Sequence, residues 1–488
     1  MNGFQRVLCL LIFIIAGFNS KQAAYASANY NSYTYNEWKE SVAAPDSYTA
    51  VTSKTGIMLG SGVLNQPQDM YMGPDGMLYI ADTGNNRLII VDKNLNLVKI
   101  IDGVMNNGVK EPITDPQGLY VSADGTIYIT QPSLSRVILV KDDNVITIIE
   151  KPVNDLIPAD FQFQPTKVGV DIYGRIYVLS KGCYTGLLQF DSKGNFMDYY
   201  GANKVEVTAK VLFQYAWKNI LSDDQRNAMT SILPIEYSNI DCSTDGFVYT
   251  TTVGTATPFN QVKKLNPLGN NTYYRHGNKE INFGDYERSY NLAATVDSSF
   301  VDVKVDSDGF IFGLDNTRGR IFERDQEGNL ISVFGGLGNQ SGTFSAPIAV
   351  EVYENNIYVL DSLKNNLTLF QPTEYETLLR KATISYNNGL YQESADTWKQ
   401  VLKRNRNNTM AYEGLGKALS QNGSYEESLK YLKDSGERYS YSRSFSKLRL
   451  QVIRSHGTYI VLGLVFLVLC SSIRNSIMKR KLNRRMRR

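Results

Sequence analysis

Acidic, amide and lysine side chains stand at matching places in a repeated pattern, and any chemistry would begin with them. The repeat opens on Asp69, Gly118, Lys167, Asn239, Asp302 and Ile348 in its successive copies, and its second half ends on Asp82, Gln131, Ser180, Thr252, Asp315 and Asp361. Oxygens of this kind suit a Ca²⁺ ion or a sugar hydroxyl. Paired carboxylates such as Asp69 and Asp302 suit general acid/base work where a fold brings them together. The chain has only two histidines, His276 and His456, and four cysteines, which excludes a clustered imidazole or thiolate metal centre. It lacks a G-x-S-x-G elbow, an H-E-x-x-H pair and a Walker loop, so hydrolase, zinc-protease and NTPase readings lose their simplest warrants. No catalytic residue and no metal site is assigned; Ca²⁺ is the one cofactor these oxygens leave open.

The elements that hold those residues follow from the repeat itself. Residues 69–82 (DMYMGPDGMLYIAD) recur as 118–131, 167–180, 239–252 and 302–315, with a shortened copy at 348–361. Each copy reads as an alternating strand, a turn and a second strand. Gly76, Gly125, Gly174, Gly246 and Gly309 share the turn position, and Asn356 takes it in the last copy, the residue types that best tolerate positive φ. The turn residues are spaced by 49, 49, 72, 63 and 47. A third strand follows in phase (LIIVD, RVILV, LLQFD, RIFERD, LTLF), and a fourth in three copies (LNLVKII, NVITII, NLISVFG). Six units of four strands closed radially predict a six-bladed β-propeller over 47–372, a closure that leaves no long exposed edge. The sixth unit lacks a fourth strand, and the segment SYTAVTSK at 47–54 is the candidate to supply it.

The first unit resembles NHL repeats through Pro67, Asp75-Gly76 and the run Leu78-Tyr79-Ile80-Ala81-Asp82-Thr83-Gly84-Asn85-Asn86-Arg87. The likeness extends more weakly over the other units and supports the six-bladed reading. It implies a structural role for Asp82 with Arg87 and for Asp315 with Arg320, the acid bonding a turn and pairing with the Arg that opens the next strand. Calcium-dependent lactonases and some NHL-family lyases act at propeller ends, the lyases through histidine ligands that this chain lacks.

Two insertions break the period, at 200–235 and 262–300. The first carries a helical pattern and Trp217; the second holds Tyr273, Tyr274, Arg275 and His276. Long loops on a rigid ring shape binding faces, so these five join Asp69, Lys167, Asn239 and Asp302 as ligand-binding candidates, with a glycan or peptide as the ligand class.

From Glu374 the period turns helical. Asn388-Gly389-x-Tyr391 recurs as Asn422-Gly423-x-Tyr425, 34 residues on, and with Leu415-Gly416 this resembles tetratricopeptide repeats over 373–456. Residues 457–473 carry no charge and span about 26 Å as a helix, enough for a transmembrane segment. The fifteen residues that follow hold eight Lys or Arg and no acid. Removing those eight charges from the net +3 leaves −5, so a nucleic-acid partner has no support in the main body. Arg6 before VLCLLIFIIAGF and the small residues beyond predict a signal peptide at 1–28, followed by an extended leader at 29–46. Positive-inside bias places the tail 474–488 in the cytoplasm and the body outside it. Cys183 and Cys242, the two body cysteines, have spacing that decides nothing about pairing.

The expectation is a membrane-anchored, extracytoplasmic binding or scaffold protein of a bacterium. Its expected partner is a membrane protein or an envelope or transport complex, in which it serves an accessory or sensory part. The alternatives are a propeller enzyme of the lactonase or lyase type, and a purely structural envelope protein.

Overall fold

The computed structural model describes residue 30 and residues 32–201, 236–253, 261–275, 279–280, 282–285 and 298–486. Six sheets, antiparallel except where Asn144 pairs in parallel with Met105 in the second, are arranged as the blades of one propeller. Blade one contains Asp69–Met72, Leu78–Asp82, Arg87–Val91 and Leu97–Ile101 in simple up-and-down order, and blades three and five repeat that order. The second strand of each blade is the most deeply buried, because neighbouring blades cover both its faces: Leu78–Asp82, Ile176–Ser180, Val248–Thr252 and Ile311–Asp315 are buried at every position. Their side chains are accordingly apolar or hydroxylated almost throughout, with no polar stripe.

The turns follow the glycine pattern in five blades, where Gly76, Gly125, Gly174, Gly246 and Gly309 have φ between +73° and +82°. Blade six differs from the sequence reading. Its turn is one residue shorter, with Glu354 and Asn355 at positive φ and Tyr353 paired to Asn356, the geometry of a two-residue hairpin. Asn356 therefore opens the second strand, and Ala349 rather than Ile348 takes the leading inner position, opposite Leu360.

Closure is made by the N-terminal segment. Tyr48–Thr55 pairs antiparallel with Asn366–Pro372 and becomes the fourth strand of blade six. Where the sequence suggests an extended leader, Tyr33–Tyr35 and Ser41–Ala43 form a hairpin that adds to the outer strand of blade five through Tyr33 and Val333. Blade two gains a hairpin of its own, Gly103–Asn106 with Val109–Pro112.

Four helices follow: Glu374–Asn387, Tyr391–Arg404, Thr409–Gln421 and Tyr425–Asp434. Thr373 caps the first, accepting from the Glu376 amide at 3.3 Å, and Asn408 caps the third through the Ala411 amide at 2.9 Å. A contact recurs at the 34-residue step: Ser394 Oγ donates to the Ala382 carbonyl (2.8 Å) and Ser428 Oγ to the Gly416 carbonyl (2.7 Å). These helices are built onto the propeller. Tyr48, Phe312, Phe334 and Phe370 share one apolar core with Tyr375, Leu379, Ala382 and Trp398. The chain ends in one helix, Arg438–Arg485, whose apolar stretch is long enough to cross a membrane and is wholly exposed.

Candidate functional site

The propeller axis is the natural place to look, because each inner strand turns one unpaired edge toward it. The leading residues are Asp69, Gly118, Lys167, Asn239, Asp302 and Ala349; two residues on, pointing the same way, stand Tyr71, Tyr120, Gly169, Asp241, Lys304 and Glu351. The structure brings four predicted candidates together in the first layer. Lys167 reaches from blade three to Asp69 of blade one, Nζ to Oδ1 at 2.5 Å. Asn239 donates its side-chain amide to Asp302. The carboxylates also accept from the bare edges: Asp69 takes the Leu119 amide at 2.8 Å, and Asp302 takes the Val350 amide at 2.6 Å. Each acid thus fastens its blade to the next.

The second layer was not singled out by sequence. Lys304 bridges Asp241 and Glu351, both at 3.2 Å, and lies 4.5 Å from the Tyr71 ring centroid. Asp241 accepts the Val305 amide at 2.8 Å, while Glu351 Oε2 is buried without a hydrogen-bond partner among the described residues. Two layers therefore set two ammonium groups among four carboxyls. Burial drives protons onto the surplus acids. It pushes Asp302 up to about 7, an effect that Lys167 opposes and Asp69 reinforces. It pushes Glu351 up to about 8, with Lys304 opposing and Asp241 and Asp302 reinforcing. Burial also works against the charge on Lys304, but Asp241 and Glu351 outweigh it and hold the ammonium well above its ordinary range. Lys304 thus keeps its charge between the two carboxyls, and burial favours the protonated form of Glu351. A Ca²⁺ ion would have to displace these ammonium groups, which already sit where a cation would.

The acids at the ends of the second strands are structural staples. Asp82 pairs with Arg87 at 2.7 Å and accepts the Asn65 amide at 2.8 Å. The same backbone bond recurs as Asp315 from Ser299, Asp361 from Ser345 and Ser180 from Gln164, each 16 residues upstream. The Asp315–Arg320 pairing expected from the repeat does not form. Arg320 turns to Asp285 (2.6 Å) and the Tyr33 hydroxyl (2.9 Å), and Asp285 also accepts from Arg318 (2.5 Å) and Tyr35 (2.6 Å). Burial opposes ionisation of Asp285, but the tyrosine hydrogen bonds and the two guanidinium groups hold it below the usual carboxylate range. This cluster pins the leader hairpin to blade five, and no motif marks Asp285 in the sequence.

Among the insertion candidates, Tyr273 is buried against Phe283, ring centroids 6.2 Å apart. Tyr274 and Arg275 form a short strand with Lys279–Glu280. Trp217 and His276, and the first insertion from residue 202 on, lie outside the described residues. Cys183 and Cys242 are free thiols.

A recess of about 800 Å³ lies where the leader hairpin, the blade-five turn and the helices meet. Glu37, Trp38, Met410, Glu413, Lys433 and Tyr441 contribute to its walls. Thr409 Oγ1 donates to the Tyr35 carbonyl at 2.8 Å, tying hairpin to helix beside it.

No protein-family model matches the chain, and no curated protein matches its sequence. Among solved structures, a catalytically inactive variant of virginiamycin B lyase from Staphylococcus aureus is 9% identical, covering 63% of this chain and 80% of its own, with a TM-score of 0.39. A structural-genomics protein of unknown function from Bacteroides thetaiotaomicron is 12% identical, covers 70% of this chain and 76% of its own, and has a TM-score of 0.42. A structure proposed as a gluconolactonase is 10% identical, covers 66% and 92%, and scores 0.39. At these identities the likeness bears on no site residue.

Proposed function

We propose that this protein is a membrane-anchored binding or scaffold component of an extracytoplasmic assembly, with its propeller as the body, its helices as the neck and its terminal helix as the anchor. The observation that carries the reading is the continuous core from blades five and six through Tyr375, Leu379 and Trp398 into the helical neck. A body packed in this way transmits its orientation to the anchor. The axial charges support the reading too, since they bind one another and the blade edges. The recess of about 800 Å³ between hairpin and neck suits a partner's segment or a peptide. On this reading the blades are NHL-like and the two helical hairpins are tetratricopeptide-like. The transport or envelope role is that of an accessory or sensory subunit.

The test is purification of the full chain from mildly solubilised membranes with identification of what accompanies it. One membrane protein recovered in fixed ratio is the expected result; recovery of the chain alone overturns the assembly role and favours a purely structural part. A second reading, an extracytoplasmic enzyme of the lactonase or lyase type, is favoured by Asp302 and Glu351, buried carboxyls that hold protons near neutral pH as a general acid must. Lactone hydrolysis by the wild-type chain that Asp302→Asn abolishes would select it.

A further inference from the structure

The terminal helix carries a second feature besides its apolar span. The four preceding helices are electrically balanced, with nine acids and nine bases over 374–437. At Arg438 the composition changes abruptly: the whole helix Arg438–Arg485 contains no Asp or Glu. Five Lys or Arg fall before the span, at 438, 443, 447, 449 and 454, and Arg474 follows directly after it. Between Arg454 and Arg474 there is no Lys, Arg, Asp or Glu. Twenty helical residues rise about 30 Å, the thickness of a bilayer's hydrocarbon core. The two guanidinium groups are therefore spaced to lie one in each headgroup layer. Arg454 is exposed, as is Arg449 about 7 Å further from the core, and Leu450, Val452 and Ile453 beside them are exposed apolar residues. Lys447, by contrast, is engaged by Gln421 at 3.0 Å.

We infer that Arg449 and Arg454 bind the headgroups of anionic phospholipids in the leaflet facing the propeller, so that the anchor selects acidic lipid on its body side as well as on its tail side. The inference rests on the membrane-anchor reading. The apolar side chains between the two arginines enter the interface while the guanidinium groups reach the phosphates. Each cation near an anionic surface contributes an attraction equivalent to about fivefold in affinity. A span flanked by base on the tail side alone would give the positive-inside asymmetry without this second contact.

The experiment uses the full chain reconstituted in phosphatidylcholine vesicles containing spin-labelled phosphatidylglycerol or spin-labelled phosphatidylcholine. The motion-restricted fraction gives the preference for one lipid over the other. Arg449→Gln with Arg454→Gln should lower the phosphatidylglycerol preference about fivefold per charge removed. Neutralising Arg474, Lys479, Arg480 and Lys481 instead should leave that body-side share in place. An unchanged preference in the Arg449/Arg454 variant, in protein that resists carbonate extraction, overturns the inference while leaving the anchor intact. Protein released by carbonate overturns the anchor itself, and the inference with it.

Discussion

At the residue scale the axial network sets its own pH response. Asp302 and Glu351 hold protons to about 7 and about 8 in the fold, against about 3.9 and 4.3 in an unfolded chain. Their folded-state values are raised, so the native state binds more protons in between. Their contribution is complete below about pH 4, is lost progressively as pH rises, and levels off above the folded values. Thermal unfolding of the body followed from pH 5 to 8 should therefore show declining stability. Glu351→Gln should flatten that decline by about 1.4 kcal/mol per pH unit; an identical slope in the variant would refute the assignment of the proton to Glu351. Lys304→Met makes the opposite prediction. It strands Asp241 in a buried site and should cost about 3–5 kcal/mol by denaturant unfolding near neutral pH.

At the element scale the joint between propeller and neck is the decisive piece. Arg380 of the first helix faces Glu323 at 2.9 Å and also pairs with Asp306, and it stacks 4.1 Å from the Phe310 ring centroid. Glu376, one turn earlier, is buried beside Glu323. Neither Glu376 carboxyl oxygen has a hydrogen-bond partner among the described residues, and burial, reinforced by the Glu323 charge, raises its pKa well above the ordinary range. Arg380→Met should cost about 3–5 kcal/mol and loosen the neck, seen as faster proteolysis at residues 373–390; unaltered protection there would contradict the joint's role. Within the neck, the crossing of the third and fourth helices depends on Gly416, where an added Cβ would come within 2.5 Å of Leu432 Cγ. Gly416→Val should destabilise by about 1–3 kcal/mol, measured as a lower Tm.

On the scale of the whole molecule, closure and topology can be tested together. A chain beginning at Gly56 lacks the strand paired with Asn366–Pro372. It leaves that strand as an open edge, and its body should aggregate or melt early where the full chain does not. Protease added to intact cells should reach the propeller if the body lies outside, and cleavage only after lysis would reverse the orientation.

Periodicity alone carried the ring, its six units, the latch strand and the helical neck, because burial on both faces forces the same pattern of strand, turn and strand in each blade. It also marked Asp69, Lys167, Asn239 and Asp302 as one set, since equivalent positions on inner strands converge on an axis. What periodicity could not supply was which of them touch. The Lys167–Asp69 contact joins residues 98 apart, and Asp285 meets Tyr33 across 252. Such pairings depend on side-chain reach across a closed ring. The shortened turn of blade six shifted the sixth position from Ile348 to Ala349 and hid Glu351, because a one-residue change in a hairpin is silent in the alternation that follows it. The upward shift at Glu351 belongs to tertiary structure entirely: it arises from burial and from the balance of charges in a space that exists only once the six blades have closed.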